Sequence, residues 1–209
     1  HSGAGHVTTF EHLAHTERPS ITTRHVVRQD LLASAVAAGR VTDDIVCAVQ
    51  AEVRALVAQG ARVVVCTCST LGDAAEATRD APATIMRVDR PLAERLVASG
   101  EPILVVAALP SAMTTAVNLL RSVGRDRSTA VRLRELPCHD AWPLFLSGDQ
   151  TGYVEHVAER VERDARTGEH VMLAQASMAP ALSLIVRSDI QVFTSPQLGV
   201  SAALAAYGT

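Results

Sequence analysis

The residues best suited to chemistry sit in one short stretch, Arg62-Val-Val-Val-Cys-Thr-Cys-Ser-Thr-Leu-Gly72. A β-branched run delivers the thiol of Cys68 into Ser69 and Thr70, where the next helix should open. In open α/β sheets, ligands bind at the carboxyl ends of strands. The first free N–H groups of a helix attract anions and lower a neighbouring thiol's pKa from about 8.5 toward neutrality. The pattern therefore points to a reactive thiolate beside a pocket for a small carboxylate. Ser69 and Thr70 suit both helix capping and anion contact, which use the same N–H groups. Cys66 shares a strand face with Cys68 and reads as packing, because a Cys66–Cys68 pair lacks further ligands at zinc spacing. Cys47, on an apolar helical stripe, reads as core, and Cys138 as a structural loop residue. His12 and His15, His139-Asp140 and His170 read as solvated or structural. Asp89 reads as a charge complementing the start of a helix.

Composition narrows the chemistry. All nineteen basic residues are arginine, and the 209 residues contain no lysine. A Schiff-base lysine, whether for pyridoxal phosphate or an aldolase-type step, is excluded, as is a P-loop lysine. No cofactor and no metal are expected. The net charge of -3 comes without a basic tail, which argues against a nucleic-acid surface. No apolar run approaches the roughly 20 residues of a membrane span, and no secretory signal is visible. Four cysteines in a chain of this length do not make a disulfide framework, so a reducing cytoplasm is the expected setting. A homodimer is the default expectation only because symmetric oligomers are common.

The elements that must position the thiol alternate as parallel βα units do. Strands are expected near His6–Thr9, Ile21–Val27, Arg62–Cys68, Thr84–Val88, Ile103–Leu109, Val131–Leu136, Val171–Gln175 and Gln191–Thr194. Helices are expected near Thr42–Ala58, Leu71–Arg79, Pro91–Ala98, Ser111–Val123, Tyr153–Arg166, Ala179–Val186 and Pro196–Ala206. The chain also repeats itself. Arg62–Thr70 lies against Glu169-His-Val-Met-Leu-Ala-Gln-Ala-Ser177, a register that pairs Cys68 with Gln175 and Thr70 with Ser177. A proline follows 23 residues after Cys68, at Pro91, and 21 after Gln175, at Pro196.

Cys68-Ser69-Thr70, matched about a hundred residues later by Leu173-Ala-Gln-Ala-Ser-Met178, resembles the paired Cys-Asn-Thr and Gly-Cys-Thr elements of the aspartate/glutamate racemase superfamily. That group includes hydantoin racemases, maleate isomerases and arylmalonate decarboxylases. The resemblance implies two pseudo-symmetric Rossmann-like α/β/α half-domains with parallel four-stranded sheets, residues 1–90 plus 190–209 and residues 91–189, and a site in the cleft between them. It also implies cofactor-independent proton transfer at the carbon next to a carboxylate, with Cys68 as acid/base. Thr8, Thr9, Ser69, Thr70, Gln175, Ala176 and Ser177 would then contact a small carboxylate substrate. Two departures stand out. Gln175 replaces the second cysteine, and Ala107-Ala108-Leu109-Pro110-Ser111-Ala112 leaves Ser111 as the sole hydroxyl of its loop. Both turn the expectation toward one-thiol chemistry: a racemase or epimerase whose second base is not cysteine, a decarboxylase of malonate-like acids, or addition and release at a double bond. A carboxylate binder without catalysis is the alternative from a different class.

Overall fold

The computed structural model describes residues 1–208. It is a mixed α/β protein with two parallel sheets, one of two strands and one of four. The chain divides into two compact units, one formed by His1–Pro91 with the segment from Pro196, the other by Leu92–Ser195.

The first unit opens with α1 (Gly5–Glu17), α2 (Gln29–Ala38) and α3 (Asp43–Ala58), followed by β1 (Val63–Cys66), α4 (Gly72–Glu76) and β2 (Thr84–Arg87). Strand β1 pairs with β2 in parallel, from Val63 opposite Thr84 to Cys66 opposite Arg87. Helix α9 (Ser195–Gly208) returns to this unit at the end of the chain. Gly199 is required where α9 meets β2, because a Cβ there would lie 2.5 Å from the Val88 carbonyl oxygen. The core joins Leu31 and Ala35 of α2, Ile45, Val49 and Val53 of α3, and Val64, Cys68 and Leu71.

Several expectations fail in this unit. His6–Thr9 is helix rather than strand. Phe10 and Ala14, four residues apart on one face, bury there, and that 3.6-residue period overrides the β-branched Val-Thr-Thr run. Burial of Phe10 alone contributes about 1.5–3 kcal/mol. Ile21–Val27 carries no assigned strand, so the first sheet has two strands among the described residues instead of four. Cys47 is exposed on α3. It lies two residues from Ile45, more than half a turn away from the buried Ile45–Val49–Val53 stripe.

The second unit follows the expected pattern more closely. Its elements are α5 (Arg90–Ser99), β3 (Ile103–Ala107), α6 (Pro110–Asp126), β4 (Leu133–Pro137), α7 (Trp142–Leu146), α8 (Gln150–Asp164), β5 (His170–Leu173) and β6 (Gln191–Thr194). The parallel sheet runs β4-β3-β5-β6. All five residues of β3 are buried, as uncharged β-branched runs must be when helices cover both faces. Pro110 starts α6, where its missing N–H costs nothing. Strand β6, expected with the first half-domain, is hydrogen-bonded to β5. The segment expected as a helix at Ala179–Val186 is instead a 3-10 run over Ala176–Ser183, with Pro180 inside it.

Candidate active site

Cys68 lies two residues beyond the end of β1, in extended conformation, and is 6% exposed. A 3-10 turn over Ser69–Leu71 begins directly after it and runs into α4, with the Leu71 N–H donating to the Cys68 carbonyl at 3.1 Å. Thr67, Ser69 and Thr70 are buried around the thiol. Burial, followed by the proximity of Cys68, pushes the Cys66 thiol well above the ordinary range. Cys66 therefore stays a neutral thiol and donates to the Cys68 carbonyl at 3.6 Å.

The turn is held from behind by a fully buried guanidinium. Arg87, at the end of β2, donates Nε and Nη2 to the two carboxylate oxygens of Asp89 at 2.6 and 2.9 Å. Its Nη2 also reaches the Ser69 carbonyl at 3.2 Å, and Nη1 pairs with Asp73. Gly72 makes this possible, since a Cβ there would sit 2.8 Å from Arg87 Nε. Sequence reasoning missed this network and read Asp89 only as a helix-start charge. The available signal was an Arg-Val-Asp triplet in a β-run, whose first and third side chains share a face.

The second unit carries the same local turn without a thiol. Gln175 stands two residues beyond β5, with φ -114° and ψ 135° against -98° and 113° at Cys68. The Met178 N–H donates to the Gln175 carbonyl at 2.9 Å, as Leu71 does to Cys68. The side chain of Gln175 is already engaged: its Oε1 accepts from the backbone N–H groups of Ala108 and Leu109 at 2.7 and 3.2 Å. Ser177 Oγ lies 2.9 Å from the hydroxyl of Tyr153, whose pKa burial drives above the usual tyrosine range. Ala176 is half-buried at the start of the turn. Cys138 is buried, its pKa pushed up to about 11 by that burial.

Thr8 and Thr9 do not end a strand. Both are exposed on α1, and the Thr9 hydroxyl donates to the Gly5 carbonyl at 3.4 Å. Their candidacy rested on a strand end that does not exist. Among the described residues, no three His, Cys, Asp or Glu side chains converge as a metal site, and no helix is long and apolar enough to cross a membrane.

Solved structures share this arrangement of elements. An aspartate racemase from Picrophilus torridus matches over 99% of this chain and 91% of its own, with a TM-score of 0.65 and 15% identity. The fold is that of this aspartate racemase. An allantoin racemase from Klebsiella pneumoniae matches 78% of this chain at a TM-score of 0.54 and 20% identity, and a glutamate racemase from Francisella tularensis matches 77% at 0.51 and 14%. The chain spans 66% and 64% of the length of these last two. No protein-family model matches the sequence, and neither does any curated protein.

Proposed function

We propose that the protein is a cofactor-independent enzyme of racemase or isomerase type, in which Cys68 moves a proton at the carbon next to a carboxylate. The observation that carries this reading is the placement of the Cys68 thiol beyond a parallel strand, at the start of a turn pinned by Arg87, within a racemase fold. In this reaction the Cys68 thiolate takes the proton at the substrate's α-carbon, and the electron pair left behind spreads into the carboxylate. Donors in the turn at Ser69 and Thr70 hold the resulting enediolate. Such preorganised donors are worth most where water is excluded, and the burial of this turn supplies that condition. Delivery of a proton to the opposite face by a second acid that is not a cysteine completes racemisation, and Cys68 then gives up the proton it took to solvent.

Gln175 favours a second reading. Its amide has no proton to exchange near neutral pH, and its oxygen is committed to two backbone N–H groups. A decarboxylase of malonate-like acids needs only one thiol: loss of CO2 leaves the same enediolate, and Cys68 delivers the single proton.

Proton NMR in D2O separates the two with aspartate, glutamate, hydantoins, maleate and substituted malonates as substrates. Deuterium entering at the α-carbon without loss of mass supports the isomerase. Loss of CO2 with one deuterium delivered supports the decarboxylase. Turnover undiminished in Cys68→Ser rules out both.

A further inference from the structure

Gln175 is fixed from one side only. Its Oε1 accepts from the Ala108 and Leu109 N–H groups at 2.7 and 3.2 Å. A backbone N–H cannot accept, so the atom that meets this pair must be the oxygen, and the orientation of the carboxamide follows. The amide nitrogen is turned away from them. Among the described residues that nitrogen has no hydrogen-bond partner, although Gln175 is only 8% exposed. Two donors are therefore held in a set direction, largely out of water, with nothing of this chain to receive them. Leaving a buried donor unpaired costs stability, and such groups are few in native structures.

Ser177, two residues on, is loaded in the same sense. Its Oγ lies 2.9 Å from the hydroxyl of Tyr153, which is fully buried. A phenol is a stronger proton donor than an aliphatic hydroxyl, and this one has no other partner among the described residues. Its proton goes to Ser177 Oγ, because the reverse arrangement leaves a buried O–H unpaired. The Ser177 proton is then left to point elsewhere, and Ser177 is half-buried. Both polar side chains at the start of this turn thus use their acceptor atoms inward and keep their donors for something else.

The latch on Gln175 also strengthens its donors. The Ala108 and Leu109 peptides lead straight into α6, whose first turn is closed by the Met113 N–H on the Leu109 carbonyl. That end of a helix carries partial positive charge. Hydrogen bonds received at the oxygen polarise the carboxamide, which makes its N–H groups better donors. Gln175 carries the positive end of α6 one side chain further. We propose that the Gln175 amide, together with the Ser177 hydroxyl, forms a carboxylate-binding seat of the second unit, in which Gln175 acts only as a donor. The choice of a carboxylate over other acceptors rests on the reading of the protein as an enzyme acting next to a carboxylate; the donor geometry does not. A thiol at position 175 could exchange a proton, whereas the latched amide holds its ligand without reacting.

The test titrates the intact, isotope-labelled protein with acetate, malonate and acetamide, the last as a neutral counterpart, and follows the side-chain N–H groups of Gln175 by NMR. Acetate and malonate are expected to move them downfield to saturation, with acetamide at least about tenfold weaker. Gln175→Glu keeps the side chain's size and its acceptor for Ala108 and Leu109 but replaces both donors with a charged oxygen. It is expected to melt no lower than the parent and to bind acetate at least about tenfold more weakly, read at the Ser177 backbone N–H. Ser177→Ala is expected to weaken acetate about threefold, and this variant and the parent titration decide the matter if Gln175→Glu fails to fold. Gln175 N–H groups unmoved by about 0.1 M acetate or malonate overturn the proposal. So does an equal response to acetamide, or a Gln175→Glu variant that binds acetate as the parent does. Cys68→Ser is expected to leave the acetate response unchanged. A seat that fills in a protein inert toward every acid tried upholds this inference and removes the proposed reaction; turnover with an unmoved Gln175 amide does the reverse.

Discussion

Replacing Arg87 by methionine tests how the thiol's turn is held. The guanidinium is fully buried, and so is Asp89, its two-pronged partner. Removing one member of a buried pair leaves the other charge uncompensated, at a cost of about 3–5 kcal/mol. For a protein of this size, each kcal/mol moves Tm by about 2–4 °C, so Arg87→Met should lower Tm by roughly 6–20 °C. Asp73 also touches Arg87, but its side chain is 60% exposed, and solvent screens such pairs to about 0–1 kcal/mol. Asp73→Asn should therefore shift Tm by no more than about 4 °C, whereas Asp89→Asn should approach the arginine variant. The double variant Arg87→Met/Asp89→Leu should recover most of the loss, since apolar replacement of a buried pair is often neutral. Calorimetry on the four variants reads all of this directly. Equal costs for Asp73→Asn and Asp89→Asn, or a double variant no better than Arg87→Met, would refute the reasoning.

Cys68→Ser should abolish turnover while moving Tm by less than about 4 °C, because one buried sulfur-to-oxygen change costs on the order of 1 kcal/mol; paired activity and melting measurements check this. Gln175→Met keeps the side chain's length but leaves the Ala108 and Leu109 N–H groups without their acceptor, at about 1–3 kcal/mol each where water cannot enter, measured by urea unfolding. Burial alone would raise the pKa of Glu169, but the Arg134 fork and the Arg166 N–H outweigh it and hold the carboxylate below its usual range. That stability is present above the unfolded carboxylate's pKa and is lost as pH falls through the lowered folded value. Arg134→Met should therefore be clearly destabilising at pH 7 and converge on the parent as the medium turns acid, in unfolding curves taken across pH. Tyr153, its pKa raised by burial, should ionise only as the protein unfolds in alkali, and Tyr153→Phe should remove that component from the ultraviolet titration.

The second unit was legible because β3, β5 and β6 are short runs without Arg, Asp or Glu and with clear breaks, and they lie close to where those runs sit. The first unit was harder to read. Val7-Thr8-Thr9 has strand composition, yet Phe10 and Ala14 decide for helix through burial, which composition does not display. Ile21–Val27 has strand composition too, yet no strand is assigned there, because a ladder needs a pairing neighbour that composition does not supply. The thiol turn was visible in Cys68-Ser69-Thr70. What supports it was not, because Arg87 and Asp89 act through a fold-dependent approach to Ser69 and Gly72. The bond from Gln175 to the N–H groups of Ala108 and Leu109 joins residues far apart in the chain, so no local pattern could announce it.

The connectivity of the two units also orders events in time. The second unit is one unbroken stretch, Leu92–Ser195, whereas the first needs helix α9, which follows that stretch, to close against Val88. On a ribosome adding roughly 5–20 residues per second, the inserted unit is wholly synthesised before the last helix of the unit surrounding it exists. The portion carrying Cys68, though translated before α9, must wait several seconds in an unfinished state with its apolar β1 exposed. Chaperone demand and aggregation during expression should therefore track the first unit, and the excised second unit should be the piece that folds alone.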